Sequence, residues 1–142
     1  MIHLGTFHTT LTLETKGNCD MIDITESVQQ SVSDSGLNTG ICTVFCPGST
    51  GSLTTIEYEG GLLIDFPVAM ERIAPEDAVY EHHLRWRDGN GHSHIRASVL
   101  GPSITITFVN GELTLGTWQQ VTFIDFDNKS RSRRLEVVLI GE

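Results

Sequence analysis

Positive charge is scarce in this 142-residue chain: 9 Lys and Arg stand against 18 Asp and Glu, a formal net charge of −9. Nucleic-acid binding rests on many Lys and Arg neutralising phosphates, and attraction to an anionic membrane surface needs basic clusters as well. Neither nucleic acid nor membrane is therefore expected as a partner. No apolar run is long enough to cross a bilayer. The opening Met1-Ile2-His3-Leu4-Gly5 lacks the basic stretch and apolar core of a secretory leader. Cysteine is sparse and odd in number, with Cys19, Cys42 and Cys46, which suggests a reducing compartment and a cytoplasmic location. Cys42 and Cys46 share one face of a strand and read as small buried hydrophobes, since zinc would need tighter spacing and a second ligand pair. Linkers, low-complexity tracts and internal repeats are absent too. One domain over residues 1–142 is expected, long enough to bury about 70% of its unfolded surface without a metal or disulfide.

The charge that is present is uneven. Acidic residues dominate from Glu57 to Glu81, while Lys129, Arg131, Arg133 and Arg134 cluster near the C-terminus and read as a solvated turn. Ile2 to Thr15 predicts a strand, with Phe7, Leu11 and Leu13 on one parity and His8, Thr10 and Thr12 on the other. A helix follows, capped by Asp23 with Glu26 three residues on, carrying Ile24, Val28 and Val32 on one face and stopped at Gly36. Gly40 to Cys46 and Leu53 to Tyr58 read as strands around the small-residue loop Cys46 to Ser52. Leu62 to Ile73 reads as a helix that holds Pro67 in its first turn or kinks there. Val79 to Trp86 reads as a strand, and Gly91 to Leu100 as a helix capped by Asn90 and stopped by Gly101-Pro102. Asn110-Gly111 marks a two-residue hairpin between Ser103–Val109 and Glu112–Gly116, pairing Phe108 with Leu113 and Thr107 with Thr114. Val121–Phe126 and Arg134–Ile140 read as a second hairpin around the basic loop. The sum is an α+β domain: a mainly antiparallel sheet or sandwich with two or three helices.

Candidate chemistry concentrates in Tyr80 to His94, where four of the 6 His lie. Imidazole exchanges protons near neutral pH and is the usual nitrogen ligand for metals. Asp88 can orient a His, hold a divalent cation or act as a base. Geometry selects among the four. His92 and His94 diverge by about 200° on a helix, and adjacent His82 and His83 cannot both point inward. His82, Asp88 and His94 are therefore the candidate catalytic residues, and His82 and His94 the candidate ligands for a divalent metal, Mg or Zn. Gly48-Ser49-Thr50-Gly51 can aim backbone N–H groups and hydroxyls at an anion, though it lacks the Lys and spacing of a P-loop. In Gly116-Thr117-Trp118-Gln119-Gln120 the better reading of Trp118 is a buried core residue.

Taken together these motifs resemble the YjbQ family. Ser103-Ile104-Thr105-Ile106, Gly111 and Leu115-Gly116-Thr117-Trp118-Gln119-Gln120-Val121 match its C-terminal signature. Tyr80-Glu81-His82 and Asn90-Gly91-His92-Ser93-His94-Ile95 match its two His motifs, and Asp23-Ile24-Thr25 its helix start. Where many members carry His-Thr-Thr, this chain has Gly48-Ser49-Thr50, so one site His is replaced. The resemblance implies a compact α+β fold, a homotrimer and a polar pocket near the matched His residues. It also implies an activity like thiamine-phosphate synthase, joining a pyrimidine pyrophosphate to a thiazole phosphate with loss of pyrophosphate.

On that expectation the partner is a small phosphorylated metabolite. His94 or His82 transfers a proton, Asp88 orients it or binds metal, and Ser49, Thr50, Asn90, Gln119 and Arg134 hold phosphate, helped by the positive end of the helix that starts at Asn90. Two other readings fit the same residues: a trimeric metal- or anion-binding protein without turnover, and a metal-assisted hydrolase.

Overall fold

The computed structural model describes residues 1–142. The alternation near the N-terminus becomes strand β1 (Gly5–Thr15), with Phe7, Leu11 and Leu13 turned toward the core and His8, Thr10 and Thr12 exposed. A short strand that the residue pattern had not marked, β2 (Asp20–Asp23), precedes helix α1 (Thr25–Ser35). The Asp23 carboxylate accepts bonds from the backbone N–H and hydroxyl of Thr25, but Ile24 holds the cap position and Glu26 makes no return bond, so the expected capping box is not formed; Gly36 closes the helix in the left-handed region at φ 70°. β3 (Gly40–Phe45) and β4 (Gly51–Ile56) flank the small-residue loop as expected. Pro67 is the sixth residue of helix α2 (Leu62–Ile73), past the first turn, so its missing N–H leaves the Leu63 carbonyl without its helical donor.

All strand pairs are antiparallel, in two sheets. The larger has the order β1-β8-β3-β5-β6 and the smaller β2-β7-β4, with β5 at Ser103–Val109, β6 at Glu112–Leu113, β7 at Gln120–Asp125 and β8 at Arg131–Gly141. The β5–β6 turn pairs Phe108 with Leu113, and Asn110 and Gly111 both take positive φ, 54° and 75°, the geometry of a two-residue turn that suits twisted strands. Past Leu113 the pairing continues to Thr114, whose N–H donates to the Thr107 carbonyl at 3.0 Å, and the two hydroxyls touch.

The sheets stack face to face. Val28 and Val32 of α1, Cys42 and Val44 of β3, Phe123 of β7 and Val137 of β8 lie in the one core between them. A second core on the far side of the smaller sheet joins Met21, Ile124 and Phe126 to Met70 of α2 and Ala97 of α4 (Gly91–Leu100). β7 is thus buried on both faces, which is why Val121 to Asp127 is continuously buried rather than alternating.

Four readings are corrected. β7 and β8 do not form a hairpin: the chain crosses from one sheet to the other at Phe126–Ser130, and the strands oppose each other across the core. Glu81–Trp86 is a helical turn, α3, not a strand. It lies outside both sheets with no ladder to join, closes at Arg87 with φ 56°, and is fastened by a bond from Gly91 N–H to the His83 ring. That gives four helices rather than two or three. Trp118 is 72% exposed, not core. No helix is long and apolar enough to cross a membrane.

Candidate functional site

α4 begins one residue after Asn90, and its helical twist sorts the histidines of this region into two pairs. His94 faces His82 of α3, with ring centroids 4.5 Å apart. His92 turns to the other side and joins His83 and Tyr80, the Tyr80 ring lying 5.2 Å from His83 and 6.3 Å from His92. A backbone N–H can only donate, so the 3.0 Å bond from Gly91 to His83 Nε2 requires that nitrogen to be unprotonated. Gly91 must be glycine for closeness: a Cβ there would stand 2.7 Å from Tyr80 Cβ.

The three expected catalytic residues converge. Asp88 Oδ1 lies 3.3 Å from His82 Nδ1, near enough for attraction but off the line of a hydrogen bond. Asp88 itself is tied down through its carbonyl, which accepts from Asn128 Nδ2 at 2.8 Å. Burial pushes the His94 pKa down and the neighbouring His82 adds to this, while the Asp88 and Asp127 charges oppose it. A neutral His94 offers one N–H donor and one basic nitrogen.

His94 also lines a surface cleft of ≈ 250 Å³ with Gly48, Ser49, Gly51, Ala97, Ser98 and Pro102. The expected loop and helix are therefore brought to one place. Larger is the ≈ 540 Å³ groove between α1 and Leu113–Leu115, but its lining of Thr25, Glu26, Gln29 and Gln30 brings no His or Asp together. Chemistry, not size, marks the smaller cleft.

The remaining expected phosphate ligands are placed otherwise. Thr50 is buried: its hydroxyl donates to Asp127 Oδ2 at 3.2 Å and accepts from Arg133 Nη2 at 2.7 Å. Asn90 is buried too, and its Nδ2 donates to Asp127 Oδ1 at 3.3 Å. Gln119 binds the Thr55 hydroxyl at 3.0 Å, five residues along β4 from Thr50 and so about 16 Å away. Arg134 lies on the outer face of β8, exposed and paired with Glu136. It is the next residue, Arg133, that turns inward, since successive strand side chains alternate.

The basic cluster is accordingly only partly a solvated turn. Arg133 donates through Nε and Nη2 to Asp125, both bonds at 2.8 Å, and Arg131 Nε donates to Asp127 at 2.9 Å. Burial alone would raise both carboxyls. Arg133, the Thr15 hydroxyl and the Asp127 N–H hold Asp125 below the ordinary range, and the Asn128 N–H, Asn90 and Arg131 do the same for Asp127. This buried network was missed in the sequence reading. Its signal was there: Asp125 and Asp127, two apart in an apolar run, opposite Arg131 and Arg133, also two apart.

No group of three or more His, Cys, Asp or Glu side chains is arranged as a metal site. Asp88 lies against Nδ1 of His82 and leaves Nε2 as the nitrogen a metal would take, the arrangement in which a carboxylate orients a ligating imidazole.

Comparison with known proteins bears on the whole chain. The family described as UPF0047 protein YjbQ-like matches residues 9–142. A UPF0047 protein of Methanothermobacter thermautotrophicus is 39% identical, the match covering 93% of this chain and 90% of that protein. One from Archaeoglobus fulgidus is 37% identical over 89% and 96%. Among solved structures, a YbjQ-like protein of unknown function from Sulfolobus solfataricus superposes with a TM-score of 0.93 at 29% identity, covering 99% of this chain and 100% of that one. A protein of the same family from Clostridium acetobutylicum gives 0.83 at 35% identity over 91% and 97%. With a match over nearly its full length, the chain belongs to the YjbQ-like UPF0047 family.

Proposed function

We propose that this chain is an enzyme of phosphate-bearing small metabolites, with a transfer like that of thiamine-phosphate synthase as its reaction. One observation carries the reading: His94 both faces His82 and lines the Ser49 cleft, so a proton-transfer group stands beside a loop able to hold an anion. In such a transfer the thiazole nitrogen gives its electron pair to the pyrimidine methylene carbon. The bond from that carbon to pyrophosphate breaks, and the leaving oxygen takes the pair. His94 donates a hydrogen bond to a phosphate oxygen, Ser49 and the Gly48 backbone bind the same group, and Asp88 steadies His82. Arg133 lies behind the loop, its Nη1 3.4 Å from where a Cβ on Gly48 would be, and lends positive charge.

The same proposal includes a cytoplasmic location and a homotrimer. Three free cysteines suit a reducing compartment. Ile41, Phe45, Val138 and Ile140 leave the outer face of the larger sheet exposed and apolar, as a surface between copies would be.

The test is synthesis of thiamine phosphate from the two substrates by the purified protein. Product above blank is expected, and His94→Ala is expected to lower turnover by about 10²–10⁴-fold. No product from the wild type would end the reading. Tight phosphate or pyrophosphate binding in that case would leave a binding protein without turnover.

A further inference from the structure

The Asp127 carboxylate, 1% exposed, takes four donors from separate parts of the chain. Oδ1 accepts from Asn90 Nδ2 and from the Asn128 N–H, at 3.3 and 2.8 Å. Oδ2 accepts from the Thr50 hydroxyl and from Arg131 Nε, at 3.2 and 2.9 Å. A carboxylate has about four acceptor positions, so none is left for a ligand. Whatever Asp127 does for the cleft, it does through the residues it holds.

Those residues stand next to the two walls. Thr50 directly follows Ser49. Asn90 precedes α4, about one helical turn before His94. The far half of α4 has its own ties to β4: Ser52 Oγ donates to the Ala97 carbonyl at 2.9 Å, and the Leu53 N–H to that of Gly101 at 3.3 Å. No such bond ties the first turn of α4 to the loop. There the link runs from Thr50 through Asp127 to Asn90. The Asn90 Oδ1 is buried without a partner, so the Nδ2 bond is the one that holds this side chain.

We propose that Asp127 is the positioning residue of the cleft, one oxygen fixing the Ser49 loop through Thr50 and the other fixing the start of α4, and with it His94, through Asn90. The inference rests on reading the cleft as the phosphate-holding site. Asparagine cannot replace it: an amide would face a donor at whichever oxygen position its NH₂ took, so at least one arm must let go.

The experiment follows the NMR signals of the full chain, with inorganic phosphate as probe. Thr50→Val is expected to move the Gly48 and Ser49 amides, Asn90→Ala the His94 imidazole, and Asp127→Asn both sets, with at least a tenfold loss of phosphate affinity. Thr15→Val is the structural control. It removes a buried bond to Asp125 (2.6 Å), and is expected to lower Tm while moving neither set. If Asp127→Asn folds and leaves the Ser49 and His94 signals as in the wild type, the positioning role is overturned. If it does not fold, Asn90→Ala decides, since Thr50→Val also removes the bond from Arg133, and silence from Asn90→Ala overturns the role. A wild type that binds no phosphate, with the signals moving as stated, would remove the phosphate reading and leave the positioning role in place.

Discussion

The imidazoles of His82 and His94 stand 4.5 Å apart, one carried by α3 and the other by α4. Two imidazoles this close resist carrying charge together. Asp88, within 3.3 Å of His82, works against that resistance, and its charge raises the His94 pKa. Asp88→Asn is therefore expected to shift His94 titration to lower pH, read from its imidazole NMR signals. A shift upward would mean that Asp88 does not face the pair.

Stability is expected to fall with acid in two stages. His92 and His94 have folded pKa values below the ordinary 6.5, mainly through burial. The unfolded chain then binds more protons below that pH, so their contribution is complete above 6.5 and is lost as pH falls from there toward the folded values. Asp125 and Asp127 are also held low, so their contribution persists down to the ordinary 3.8 and is lost below it. Melting temperature should be level near pH 7–8 and decline below about 6.5. His92→Gln should flatten the upper stage, and an unchanged profile in that variant would contradict the assignment.

Gly91→Ala places a methyl against Tyr80 at 2.7 Å. Overpacking of this kind costs about 1–3 kcal/mol. The strain falls where α3 is fastened, because Gly91 also donates to His83. A lower Tm is expected together with loss of the cross-relaxation between the His82 and His94 rings. A lower Tm with the ring contact intact would show that α3 is held elsewhere.

Assembly can be read by sedimentation. The wild type is expected at three times the chain mass. Val138→Lys with Ile140→Lys, both on the exposed face of β8, is expected to give folded monomers. A wild type sedimenting at the chain mass would dispose of the trimer.

Much of this was legible in the residues. Period-two alternation gave β1, the pair Asn110-Gly111 gave a hairpin in register at Phe108 and Leu113, and the twist of a helix beginning after Asn90 separated His92 from His94, of which His94 faces His82. What was not legible depends on neighbours distant in sequence. Val79 to Trp86 read as a strand, but a strand needs a ladder and α3 has none. β7 and β8 are consecutive and apolar, yet Arg133 reaches Asp125 by its side chain across the core rather than by backbone pairing. Thr50 and Asn90 were read as phosphate ligands; they stand beside residues that line the cleft, and their side chains are bonded to Asp127. That aspartate lies more than thirty residues beyond either of them in sequence.

β8 is the middle strand of β1-β8-β3, and it is the last strand of the chain. β3 has half of its pairing once β5 is made, but β1 pairs with β8 alone, across 116 residues even at the near end of the ladder. The inner face of β1, with Phe7 and Leu11, must wait uncovered until β8 is made. Closing the larger sheet therefore bears the loop entropy of almost the whole chain at once. The domain should fold in a late, cooperative step rather than strand by strand as it leaves the ribosome.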